Sequence, residues 1–235
     1  MKKETKKHLT EFFKGLGVLI LYLVSSLFAE LFLVIFGINY DTMPMVFKII
    51  YNLAYEILLV CIVIIIYKDI IEKHFKKFIK NNQKYFKEYI KYWFLALGLI
   101  FISNIIISKI VGTTTSTNQE EVINMFTKAP IYTFIITVII APILEELVFR
   151  LSFRKMFAKS DWLFIIASGL FFGSMHIIGT ETTLLGCLYI IPYSIPGFIF
   201  AYTLLKSKNI FVPISLHFIH NGVTMALQIL LLLLT

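Results

Sequence analysis

Residues 129–150 read APIYTFIITVIIAPILEELVFR, sixteen residues without a charge followed within six positions by two glutamates and an arginine. An apolar run of about 20 residues is what a helix rising 1.5 Å per residue needs to cross a hydrocarbon layer about 30 Å thick. The run is continuous rather than alternating, so it suits a spanning helix and not a barrel strand. Outward from it, similar runs lie near 16–38, 45–67, 92–111, 161–178, 184–205 and 210–234. The chain of 235 residues is 58% hydrophobic, with a mean hydropathy of +0.84. A soluble domain of this size would need a polar coat that this composition cannot supply. The expected fold is therefore all-α, a polytopic transmembrane helical bundle of about seven spans.

The basic residues are distributed unevenly. Five lie in 1–15, eight in 68–91, four in 150–160 and two in 206–209, leaving Lys48, Lys109 and Lys128 for the other side. Such asymmetry is the positive-inside rule, and it predicts a cytoplasmic N-terminus, an external C-terminus and residence in the cell (plasma) membrane. The net charge of +8 is thus topological, with attraction to anionic headgroups of the bilayer as a second consequence. Stretch 68–91 interleaves lysines with Phe, Tyr and Ile and reads as a helix lying on the inner leaflet, not as a nucleic-acid surface. His8 and His74, in these basic stretches, read as solvated. The organisation expected is a basic N-terminus at 1–15, a three-span region over 16–128 with the basic loop 68–91, and a four-span core over 129–235. No cleavage site of small residues follows the first run, which argues against a cleavable signal. Cys61 and Cys187 both fall in apolar runs, so neither a disulfide framework nor a cysteine zinc site is expected.

Ionisable groups within a bilayer are costly and are candidates for function. Three pairs at helical spacing stand out. Glu146 and Arg150 are four apart and share a helix face, while Glu145 is turned about 100° away. Phe172 and His176 share a face, on a run where Gly169 and Gly173 form a small-xxx-small pattern for close helix approach. His217 and Asn221 share a third face, flanked by His220. Pro142, one turn before the glutamates, removes a backbone hydrogen bond and is expected to kink its helix. Together these groups can surround one water. Glu145 would take its proton, His176 would orient it, and His217 and Asn221 would donate to the developing oxyanion. A second version of the site places a divalent ion, such as zinc, on Glu145, His176 and His217. Because Glu145 and His217 lie toward the basic ends of their spans, access from the cytoplasmic side is expected. Glu30 and Glu56, mid-span elsewhere, read as interhelical hydrogen-bonders or a second polar site.

The ordered set EExxxR, FxxxH and HxxxN, over roughly residues 130–225, resembles the CPBP family, the CAAX-processing and bacteriocin-processing (Rce1-like, Abi) intramembrane proteases. The resemblance implies that Glu145 is the essential glutamate, with Glu146 and Arg150 as its partners. It also implies that Phe172 and His176 form the second motif and His217 and Asn221 the third. It further implies an endopeptidase, often described as a metalloprotease, acting on membrane-associated or lipid-modified peptides. Other intramembrane protease classes lack their marks here: there is no HExxH, no GxSG and no GxGD. Two rivals use the same features differently. One is a non-catalytic bacteriocin-immunity or export-accessory protein on this fold. The other is a proton-coupled transporter relaying through Glu30, Glu56 and the histidines, against which the lack of an internal repeat argues.

Overall fold

The computed structural model describes residues 3–113 and 115–234, and among them the chain is helical with no strand. Eight helices occur in order: α1 Lys3–Ile35, α2 Met45–Ile66, α3 Lys68–Val111, α4 Thr117–Lys128, α5 Pro130–Met156, α6 Asp161–Met175, α7 Ile190–Ser207 and α8 Phe211–Leu234. Six of them, all except α4 and α6, are long and apolar enough to cross a membrane.

Two sequence expectations are corrected and one is refined. The basic stretch 68–91 is helical as expected and opens α3, whose two halves meet at a kink at Asn81 (φ −131°, ψ 16°). There the Asn81 side chain donates to the Lys77 carbonyl at 2.9 Å, satisfying a group the bend would otherwise leave open. The run 161–178 forms a helix of only 15 residues, about 22 Å long, and the turn after it carries the chain on to the end of α3, where Tyr189 Oη donates to the Thr113 carbonyl at 3.1 Å. The helix stops because the chain turns through His176 to Gly179, whose φ of +85° suits glycine. His74 is half-buried and not a free surface group: its Nδ1 accepts the Ile210 N–H at 3.1 Å, and its carbonyl accepts from the Asn209 amide at 2.9 Å. That pair of bonds ties the basic half of α3 to the α7–α8 turn.

Helix ends follow local chemistry. Ser116 caps α4 and Ser160 caps α6, each hydroxyl accepting a backbone N–H three residues on at 3.3 Å. Gly112, at φ +83°, closes α3. α5 is the irregular one. Its turns widen to π geometry at Ile135–Ile140 and again at Glu146–Ser152, on either side of Pro142. The widening absorbs the proline where the sequence predicts a kink.

α5 is also the centre of the bundle. Leu147, Val148 and Phe149 on it, Val18 and Val63 on α1 and α2, Phe164 and Phe172 on α6, and Ala201 and Leu204 on α7 form one buried cluster. α6 and α7 approach closest, because Gly197 lies against Gly169: a Cβ on Gly197 would fall 2.8 Å from the Gly169 Cα. Large apolar side chains such as Leu27, Phe28, Val34, Ile65 and Phe101 point outward, which is costly in water and favourable in lipid. The protein is an integral membrane protein.

Candidate active site

Glu145 and Glu146 follow Pro142 by one turn. Glu146 is fully buried, and its Oε2 lies 3.0 Å from Arg150 Nε while its Oε1 accepts from Arg150 Nη2 at 3.1 Å. Arg150, also fully buried, donates from Nη1 to Ser168 Oγ at 3.1 Å, and its guanidinium sits 4.7 Å from the Phe172 ring centroid. Ser168 in turn donates to the Phe149 carbonyl at 2.6 Å. Arg150 Nε and Glu146 Oε2 approach as charges without hydrogen-bond geometry, so this buried pair relies on the Nη1 and Nη2 bonds and on the rings packed against it. Glu145, rotated to another face, borders a cavity instead.

His217 on α8 joins the two carboxylates. Its Nδ1 is 2.9 Å from Glu146 Oε1 and its Nε2 is 3.6 Å from Glu145 Oε2. An arginine-paired carboxylate only accepts, so the Nδ1 proton is donated to Glu146 and Nε2 is left facing Glu145. The ring is held between Phe200, at 5.1 Å, and the edge of Phe172, at 5.7 Å. The result is a line, Glu146–His217–Glu145, whose first member is sealed and whose other two border open space. Helical spacing pairs Glu146 with Arg150 but carries no sign that Glu146 also holds His217, because the two lie 71 residues apart.

His176 stands apart. It follows the last turn of α6, stacks on Tyr193 of α7 (4.6 Å, 16°), and meets the edge of Phe172 at 4.9 Å. Phe172 therefore touches both imidazoles and spans the difference in depth between them. Tyr193, which the motifs do not include, shares a hydrogen bond with Ser116 Oγ at 2.7 Å and accepts one from Asn118 Nδ2 at 3.1 Å. Asn221 donates from Nδ2 to the Thr137 carbonyl at 2.8 Å. The reason lies in α5: in the π register Ala141 N–H bonds the Ile136 carbonyl, so the next donor, for Thr137, falls to Pro142, which has none. Asn221 supplies the missing proton and keeps its second N–H. His220 borders the same cavity.

The donor set Glu145, His176 and His217 does not converge on one ion. Among the described residues no three His, Cys, Asp or Glu side chains are grouped closely enough to hold a metal. His217 Nε2 meets Glu145 at 3.6 Å, but no third ligand joins them.

The cavity has a volume of about 590 Å³ and is bordered by Glu145, His176, His217, His220 and Asn221. From this floor it extends to Ser116, Asn118 and Gln119 at the start of α4. Toward the basic ends of the helices the floor is backed by the buried core, including Phe153, Ile210 and Ile214. The open space thus leads to the polar start of α4, whereas the depth of Glu145 and His217 predicts the basic side.

Residues 127–223 match the family model described as type II CAAX prenyl endopeptidase Rce1-like. All seven motif residues fall inside that segment. Over 116 residues the chain is 28% identical to the putative membrane peptidase YdiL of Bacillus subtilis (strain 168), covering 48% of this chain and 44% of that protein. Over 156 residues it is 31% identical to the membrane-embedded CAAX protease MroQ of Staphylococcus aureus (strain USA300), covering 61% of this chain and 60% of that one. The chain thus spans about half the length of the curated relatives it matches. No solved structure matches it.

Proposed function

We propose that this chain belongs to the Rce1-like branch of the CAAX-processing and bacteriocin-processing membrane proteases, whose family model its residues 127–223 match, and that it hydrolyses peptide bonds inside the bilayer. The observation that carries the reading is the line Glu146–His217–Glu145, anchored by Arg150 at one end and open to a cavity at the other.

In this mechanism a water lies beside Glu145 and His217 Nε2. Glu145 takes one of its protons as the water oxygen bonds to the scissile carbonyl carbon, and the carbonyl electrons move onto its oxygen. Two donors are available for that oxyanion: His176, across Phe172 from His217, and the second N–H of Asn221. As the C–N bond breaks, Glu145 returns the proton to the leaving nitrogen, giving an amine and a carboxylic acid. Glu146 and Arg150 do not touch the substrate. They fix the tautomer and orientation of His217, as an orienting carboxylate does for a catalytic imidazole. The geometry thereby turns His217 toward the water, where helical spacing suggests an oxyanion donor. No step is routed through a metal, because the donors do not fit one.

The substrates of this reading are membrane-associated or lipid-modified peptides. The basic ends of the helices lie at the cytoplasmic leaflet, against anionic headgroups, with the N-terminus inside and the C-terminus outside the plasma membrane. The test is hydrolysis, followed by mass spectrometry, of a lipid-modified peptide by the purified protein in liposomes. Cleavage is expected with the parent protein and none with Glu145→Gln at matched thermal stability. Near-full activity in Glu145→Gln would rule out the general-base role. Binding without turnover by the parent protein would leave an accessory binding protein as the function.

A further inference from the structure

Four carboxamide side chains border the part of the cavity away from its catalytic floor: Asn104 on α3, Asn118 and Gln119 in the first turn of α4, and Gln228 on α8. Asn104 is near the C-terminal end of α3, which closes at Val111, and Gln228 is near that of α8, which closes at Leu234. Both therefore stand at the same end of the bundle as α4. Among the described residues the side chains of Asn104, Gln119 and Gln228 make no hydrogen bond, and the only one made by Asn118 is its donation to Tyr193. Asn104, Asn118, Gln119 and Gln228 all lie outside the segment 127–223 that matches the protease family.

Three unpaired amides, and a fourth with a donor and an acceptor to spare, at the mouth of a cavity lined by apolar helices favour a ligand that both donates and accepts. An acyl or isoprenoid chain does neither. A helical peptide has already spent its backbone groups internally. An extended peptide offers one N–H and one C=O at every residue, whatever its side chains. The α4 end of the group is also held in place. Tyr193 bonds Ser116 and Asn118, Glu181 accepts the Thr117 N–H at 2.8 Å, and the Tyr193 ring lies flat on His176. One residue therefore joins the amide group to the catalytic floor, and little ordering is needed before binding.

We propose that Asn104, Asn118, Gln119 and Gln228 form a backbone-binding subsite that receives an extended peptide segment leading to Glu145. This rests on the proteolytic reading of the floor.

The probe is a fluorescein-labelled Leu/Ala-rich peptide and its twin with the backbone nitrogens N-methylated, which removes donors and keeps every side chain. Binding of each to the full chain carrying Glu145→Gln, in nanodiscs, is read by fluorescence anisotropy. The parent peptide is expected to bind about tenfold more tightly than its twin, a loss on the scale of one or two neutral hydrogen bonds. Adding Gln119→Leu and Gln228→Leu should weaken the parent peptide about tenfold and leave the twin unchanged. Equal binding of the two peptides, or no binding of either, overturns the subsite without reliance on any substitution in it. A farnesyl-cysteine probe that competes for the site and weakens equally with the double substitution would assign it to lipid, and also overturns the proposal. If the peptide pattern holds but the chain with Glu145 intact never cleaves, the subsite stands and the protease reading falls. If cleavage occurs without the pattern, the protease reading stands and the subsite falls.

Discussion

Glu145 and Glu146 are neighbours in sequence with opposite circumstances, and single substitutions should separate them. Glu146 is sealed between Arg150 and His217, so removing its charge strands a buried guanidinium. Breaking a buried pair in this way costs about 3–5 kcal/mol. Glu146→Gln and Arg150→Met should each lower the melting temperature in detergent, and the double substitution should recover stability beyond the sum of the singles. Strictly additive losses would exclude the pair. The double variant should still be inactive, because His217 has lost the carboxylate that orients it. Glu145→Gln should do the opposite, keeping stability while losing activity by several powers of ten. Asn221→Ala should lose both, since it removes an oxyanion donor and leaves the Thr137 carbonyl without its partner. A rate loss of about 10²–10³ is expected for the donor alone.

At the level of the element, the two π segments of α5 are the device that positions the glutamates. Each widened turn inserts an extra residue and rotates the rest of the helix by about 100° relative to a regular one. Pro142 lies between the two and leaves Thr137 free to meet Asn221. Pro142→Ala restores a donor at that position and allows an uninterrupted α-helix. The expected result is lower activity with stability unchanged or raised, read by hydrolysis beside thermal unfolding. Activity unchanged by the substitution would mean that the widened turns do not set the position of Glu145. The α6–α7 pair is the second such device, because His176 reaches Tyr193 only if the two helices stay close. A side chain at Gly197 has no space against the Gly169 backbone. Gly197→Leu should destabilise the protein by about 1–3 kcal/mol or more, as overpacking does, and abolish activity.

For the whole molecule, the cavity leads toward α4 and not toward the lysine-rich ends. With the native Cys61 and Cys187 replaced by serine, a cysteine placed at Gln119 should react with an impermeant maleimide added outside intact cells. One placed at Asn82, near the bend of α3, should react only after the inner leaflet is exposed. Reaction of the Gln119 position solely from the inside would reverse the proposed orientation. Because no three ligands converge, hydrolysis should also persist after treatment with 1,10-phenanthroline, whereas loss restored by added zinc would require a site the described residues do not form.

The amino-acid sequence by itself determined the class of fold and the candidate residues. Run length and continuity specify helices that cross a membrane, and charge asymmetry predicts their direction. The four-residue spacings place Glu146 with Arg150 and Phe172 with His176, because helical periodicity is a property of a single segment. What periodicity cannot carry is which helices meet, and where a helix departs from 3.6 residues per turn. The bond from His217 to Glu146, the stack of His176 on Tyr193, and the opening of the cavity onto α4 each join segments distant in sequence. The shortness of α6 was equally hidden, since a run of apolar residues continues through the turn that ends it. Packing decided these: burial made the Arg150 charge seek Glu146 and Ser168, and the missing N–H of Pro142 made the Thr137 carbonyl seek Asn221. A buried polar group must find its partner wherever the fold brings one, and that partner is defined only once the helices have packed.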